Sequence, residues 1–375
     1  MQARSPHEPH RVATPLELFF DLVFVVAIAR AAAGLHHSLG ENHIAHGLIG
    51  FGMVFFAIWW AWMNFTWFAS AYDCDDVPYR LAVFVQMSGA LVMSAGIGTM
   101  FDEGRPNLAV LGGYVIMRIA AVSQWLRAAR SDPARRTTAR RYAIGVSIVQ
   151  VAWLVLVLGL PTFALPVFIV LVLVELAVPA WAERATPTTW HPHHIAERYG
   201  LLTLIVLGES VLSATVAVQT SFESGERGAT LIPLVLGGLL IVFSMWWLYF
   251  DRPVHGLLVN LRRAIIWGYG HYLVFASAAA VGAGLAVAVD QAAGRTAIGA
   301  VGAGLAVAIP VSIFLLTLWA LHAAPRYRRT RWLGPAVVPF ILLAPITGHG
   351  VPLVGLFLAG LVAGKLAIAA PDPGH

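Results

Sequence analysis

Charge is what this 375-residue chain has least of: Asp, Glu, Lys and Arg together make up 11% of it, against 59% hydrophobic residues. A soluble domain needs about a quarter of its residues charged to cover its surface, so a water-facing globule is excluded. Cysteine occurs once, at Cys74, which rules out an intrachain disulfide and a cysteine-based zinc site. Alternation of apolar and polar residues is missing, which argues against a membrane barrel. The N-terminal stretch MQARSPHEPHRVATP has no short apolar core ending in a small-residue cleavage site, so the first apolar run is expected to remain as a helix. A P-loop, G-x-S-x-G, H-E-x-x-H and a dinucleotide fingerprint are all absent, and with them the commonest signs of an enzyme. The net charge of +5 sits in loops between apolar runs, so no nucleic-acid partner is expected.

What is present is a series of continuous apolar runs, near 15–34, 46–69, 80–101, 107–127, 142–160, 163–181, 199–220, 230–250, 265–289, 296–321, 333–347 and 351–369. Runs of about 18 or more apolar residues read as spanning helices. The expected fold is an all-α polytopic membrane protein of about twelve transmembrane helices, with membrane lipids as its surroundings. Runs split only by Pro161 and Thr162, and by GHGVP, read as tight hairpins. Threading the runs with the N-terminus inside places 19 of the 24 Lys and Arg in cytoplasmic segments and three, Arg105, Arg227 and Arg295, outside. Arg30 and Arg118 fall within helices. This bias predicts that both termini are cytoplasmic.

Markers recur in order along the chain. Glu17 matches Glu197, Trp59-Trp60 matches Trp246-Trp247, Trp125 with Ala128-Ala129 matches Trp319 with Ala323-Ala324, Arg140-Arg141 matches Arg328-Arg329, and Leu165-Pro166 matches Val351-Pro352. A tandem 6+6 duplication follows, with halves at 14–182 and 199–370, a cytoplasmic linker at 183–198, and tails at 1–13 and 371–375. An even number of helices per half makes such repeats parallel. A shorter repeat, AVGAGLAVAV at 280–289 and AVGAGLAVAI at 300–309, reads as small-residue packing surface on the ninth and tenth helices.

The candidate functional residues are the charges inside the apolar runs. Thr14, Pro15 and Glu17 fit a capping box, which gives Glu17 an ordinary structural use at the helix start. Asp21 lies one turn deeper on the same face, about 6 Å further in, and has no such use. Glu209 lies twelve residues beyond Glu197, about 18 Å along its helix, next to Gly208. Arg30, Arg118 and Glu175 complete the set. Charges at such depth normally face a bundle interior or a wet cavity. Equal depth suggests an Arg30–Glu209 pair, with Arg118 available to Asp21 or Glu175. Three carboxylates against two arginines would leave one acid without a basic partner, which suits proton carriage or cation binding. The alternative is that all five fix packing only.

Other clusters read as ordinary. His36, His37, His43 and His46 with Glu41, and His191, His193 and His194, sit in polar loops without recognised ligand spacing, so neither a metal nor a cofactor is expected. Asp73, Asp75 and Asp76 read as a solvated turn. Trp59, Trp60, Trp62, Trp67, Trp246 and Trp247 read as an interfacial belt. His271 and Tyr272 fit either a cavity wall or packing.

The string R-x-x-T-x-LELFFDLVFV at 11–25, with ERYGLLTLIVLGESV at 197–211, resembles the bacterial low temperature requirement protein A (LtrA) family, over nearly the whole chain. Tyr199 stands where that family commonly has phenylalanine. The resemblance implies a bacterial inner-membrane protein tied by name to growth in the cold. The matching motifs contain Glu17, Asp21, Glu197 and Glu209; Arg118 and Glu175 fall outside them. The leading expectation is a transporter or channel-like protein for a small solute or ion, with an acidic site between the first and seventh helices. There Asp21 and Glu209 would be proton- or cation-linked and Arg30 would be a counter-ion or an anion anchor. Alternatives are an intramembrane enzyme acting on lipid, for which no nucleophile–base set is visible, and a non-catalytic stress or assembly factor.

Overall fold

The computed structural model describes all residues except 2, 6, 7, 9, 10, 160–164, 224–227, 252, 324–329 and 370–375. Pro161 and Thr162, Arg227, Arg252, Ala324, the arginines at 326, 328 and 329, and the 371–375 tail therefore lie outside the described residues. Among the described residues the chain is twelve α-helices and no strand. They are α1 Pro15–Gly40, α2 Ile44–Tyr72, α3 Val77–Glu103, α4 Leu108–Ser131, α5 Arg136–Leu154, α6 Leu165–Ala182, α7 Pro192–Glu223, α8 Gly228–Phe250, α9 Leu261–Ala292, α10 Ala300–Leu318, α11 Leu333–Leu343 and α12 Gly350–Ala369.

Eleven helices among the described residues are long and apolar enough to cross a membrane, one fewer than the runs suggested. The exception is α11. With the 3₁₀ turn Ala344–Thr347 that extends it, it reaches only roughly 25 Å, against a hydrocarbon core of about 30 Å. The turn that follows α11 holds Pro345, and Gly348 then reverses the chain at φ +78°.

Polar residues set the helix starts. Thr14 donates its amide to Glu17 Oε2 at 2.8 Å, and its hydroxyl accepts from the Glu17 amide at 3.3 Å, so the expected capping box is formed. Asp76 caps α3 by accepting from the Tyr79 amide at 3.0 Å, and the helix ends at Gly104, whose φ of +68° is left-handed. Asn107 caps α4 and also donates to Gly96 O of α3 at 2.7 Å.

The chain divides into two compact units. The first comprises residues 1–30 and 53–198, and the second residues 31–52 and 199–375. Thus α1, α2 and α7 each contribute to both. In the first unit α3, α4, α5 and α6 pack in chain order. Gly89 and Gly113 let α3 and α4 approach so closely that a Cβ on Gly113 would strike the Gly89 carbonyl and the Met93 backbone. In the second unit α9 packs on α10, α8 on α12, and α11 on both α10 and α12. The duplicated small-residue strings meet there: a Cβ on Gly284 would collide with the Ala306 backbone.

The Asp73–Asp76 turn is less solvated than expected. Asp73 is buried, with Arg4 at 3.6 Å, because the N-terminal segment folds over it. Asp76 caps α3 and accepts twice from Arg127, which pulls its pKa down to about 2 from an ordinary 3.8. A depressed carboxyl stabilises the fold above its ordinary value and loses that contribution as pH falls through about 2. Asp76→Ala should therefore cost about 1 kcal/mol at neutral pH, the worth of the cap, since the partly exposed ion pair adds little. Thermal unfolding in detergent at pH 7 and pH 2.5 measures it. The gap between wild type and variant should narrow at the lower pH.

Candidate functional site

The best-built polar site in the first unit joins the first turns of α1 to the first turns of α7. Glu17 and Asp21 project from α1 one turn apart, and His194 and Arg198 project from α7 at the same spacing. All four side chains are fully buried, at 0% exposure. Arg198 bridges the two acids: its Nη1 lies 2.9 Å from Glu17 Oε1 and its Nη2 donates to Asp21 Oδ1 at 2.5 Å. His194 Nε2 also lies 2.9 Å from Glu17 Oε1. Glu17 thus divides its work, giving Oε2 to the α1 cap and Oε1 to α7.

Trp62 of α2 joins the cluster by donating its indole N–H to Asp21 Oδ1 at 2.7 Å. Phe65, one turn on, stacks against Phe20 with centroids 4.0 Å apart and lies 5.8 Å beneath the Arg198 guanidinium. Glu197, next to Arg198, accepts from the Ala13 amide at 3.1 Å and ties the entry of α1 to α7. Arg11 donates to the carbonyls of Ala69, at 2.6 Å, and Ser70 at the end of α2. The His191 amide donates to Ser70 Oγ at 2.9 Å.

The site is incomplete in two respects. Two carboxylates face one arginine, so with a neutral His194 the cluster carries one uncompensated negative charge. In addition, Asp21 Oδ2, Arg198 Nε and the nearby Tyr79 Oη are buried without a hydrogen-bond partner among the described residues. Buried polar atoms in native proteins are almost always satisfied, by water or a ligand if not by protein. Chemically, the arrangement can accept one proton or a small cation and offers spare donors and acceptors around it.

Sequence reasoning singled out Asp21 and Glu17 but left Arg198 at the end of the cytoplasmic linker and His194 in a polar loop. His194 instead lies inside α7, which begins at Pro192. The tryptophan belt also needs correction. Trp59, Trp60 and Trp62 are buried, Trp62 because its N–H serves Asp21, while Trp246 and Trp247 are exposed as a belt requires. The signal that could have found Arg198 and His194 was their spacing of four, matching that of Glu17 and Asp21.

The remaining candidates lie elsewhere. Arg118, about 15 Å along α4, pairs with Glu175, about 15 Å along α6, well inside both helices. Tyr114 donates to Glu175 Oε1 at 2.9 Å and also accepts from Arg118, and Trp153 donates to Glu175 Oε2 at 3.1 Å. Of the two partners open to Arg118, the structure selects Glu175. Arg30 is exposed on the first unit. Glu209 belongs to the second, half-buried, with Ser213 Oγ 3.3 Å from its Oε1. His271, also in the second unit, is packed rather than cavity-lining, bonded to Trp267 O at 2.8 Å and to the Tyr249 hydroxyl at 3.0 Å.

Eleven apolar helices of spanning length among the described residues, with charged groups buried among them, define a multi-pass helical membrane protein. Its family follows from comparison: the model described as "Bacterial low temperature requirement A protein (LtrA)" matches residues 12–370, and the chain belongs to that family. It is also similar to a protein of Rhizobium meliloti (strain 1021) titled "Uncharacterized protein RA0937", at 31% identity over 250 residues. That match covers 62% of this chain and 57% of the relative's length. No solved structure matches.

Proposed function

We propose that this chain is a proton- or cation-linked transporter or channel-like protein whose working group is the buried Glu17–Asp21–His194–Arg198 cluster. The observation that carries the reading is two buried carboxylates sharing one arginine beside a histidine. Adding one proton, at His194 or at a carboxyl, brings the cluster to neutrality; losing it leaves a charge that low-polarity surroundings strongly disfavour. A helix pair with two such states is the kind of bistable element that could couple proton movement to a change of shape. Glu209 is the second ion-linked group in this reading, and the transported species is a small solute or ion.

In the same reading the protein lies in the bacterial inner membrane with both termini in the cytoplasm, supported by the distribution of its Lys and Arg. The halves 14–182 and 199–370 are parallel repeats, supported by the ordered markers. The name of the family links it to growth in the cold. Complete burial of all four cluster residues favours a second reading, in which the cluster only locks α1 to α7 in a non-catalytic stress or assembly factor.

Purified protein in liposomes separates the two. Proton flux driven by a pH gradient or by candidate solutes should be seen with wild type, should fall at least about tenfold in folded Asp21→Asn, and should be weakened in Glu209→Gln. Absence of flux across a wide solute panel, with cold growth unchanged by both substitutions, would leave the structural reading in place.

A further inference from the structure

The second unit contains a cleft that takes no part in the cluster described above. It is a shallow groove with a volume of about 50 Å³, open where the ends of α8, α10 and α12 meet the start of α11. Its inner wall is aliphatic: Leu248 of α8, Leu315 and Leu318 of α10, and Leu361 of α12. Its lining also includes two cations, Arg331 and Lys365, with Thr330 beside them. Lys365 Nζ lies 3.1 Å from Asp251 Oδ2.

Two further features mark the opening. The Arg331 guanidinium lies 5.5 Å from the Trp332 ring centre, and Trp332 packs on Trp319 with centroids 5.2 Å apart. Tryptophans of this kind belong at the level of lipid headgroups. α10 also ends in a π-helical turn, Trp319–Ala323, which directs Trp319 and His322 to the cleft. Such turns are rare and concentrate at functional sites.

A leucine wall with cations and a hydroxyl at its opening suits an acyl chain ending in a phosphate. Basic pockets at helix ends bind anionic headgroups. A phosphodiester offers its negative charge to Arg331 and Lys365, and an anionic headgroup adds no ammonium to oppose them. We propose that this cleft is a binding site for an anionic phospholipid, with its phosphate at Arg331 and Lys365 and its chain along Leu315, Leu318 and Leu361.

The test is native mass spectrometry of the full chain in detergent, with phosphatidylglycerol, phosphatidylcholine or inorganic phosphate added. Wild type should retain phosphatidylglycerol several-fold more than phosphatidylcholine. Arg331→Gln and Lys365→Gln should each weaken retention about five- to tenfold, the range for losing one partly exposed charge-assisted bond. Arg331 is exposed, so its replacement leaves the fold intact, and Arg331→Lys should keep most of the binding. Equal retention of both lipids, or no effect from either glutamine variant, would overturn the site. Displacement of phosphatidylglycerol by millimolar inorganic phosphate alone would assign the cations to a soluble anion and overturn the lipid assignment.

Discussion

Replacing Arg198 with glutamine should destabilise the protein by about 3–5 kcal/mol, the usual cost of removing one partner from a buried ion pair. The physical reason is the number of charges Arg198 serves. Its two terminal nitrogens reach Glu17 and Asp21 separately, and all three side chains are out of contact with solvent. Glutamine has the reach for one hydrogen bond but no charge, so both acids become uncompensated. His194 can answer for Glu17 alone. Arg198→Lys should fall between wild type and Arg198→Gln, because a point charge replaces a fork that spans two carboxylates. Adding Asp21→Asn to Arg198→Gln should recover part of the loss by removing one stranded charge. Thermal unfolding in detergent checks the ordering wild type, lysine, double variant and glutamine. Equal midpoints for wild type and Arg198→Gln would mean that the cluster is not held by charge.

The second large effect belongs to the Arg118–Glu175 pair. Glu175→Leu should also cost about 3–5 kcal/mol, because it leaves the buried Arg118 without its carboxylate in the hydrocarbon region. Arg118→Met combined with Glu175→Leu should regain most of that, since apolar residues of similar volume can replace a buried pair at little cost. The comparison separates the worth of the pair from the penalty of a stranded charge. Tyr114 and Trp153, which bond to Glu175, would lose a partner in both variants and limit the recovery. A single variant no worse than the double one would show that Arg118 finds another anion or water. Flux retained by the double variant would place this pair outside transport.

The motif LELFFDLVFV singled out Asp21, because a carboxylate in an apolar run has few ordinary uses, and placed Glu17 in a capping box. It could not show what they touch. Arg198 stands at the edge of an apolar run, where arginine usually anchors to lipid headgroups, and only the approach of α7 to α1 reveals it as buried. His194 looked like part of a polar loop because HPHH carries no helix signal until Pro192 is seen at the first helical position. Trp62 shares its composition with its belt-like neighbours and differs only in the direction it faces. The run at 333–347 has the bounds of α11 and its following turn, and only its reach, too short to cross a membrane, sets it apart from the other eleven.

Composition and run length alone determined that this protein lives in lipid as a series of helices, because the solvent decides how many charges a surface needs and the bilayer decides how long a helix must be. Both constraints are local and repeat along the chain, so they can be read in order. Which acid meets which base was decided by tertiary structure: Arg118 with Glu175, and Arg198 with Glu17 and Asp21. Those pairings join residues 57, 181 and 177 positions apart, and no periodicity carries information over such separations.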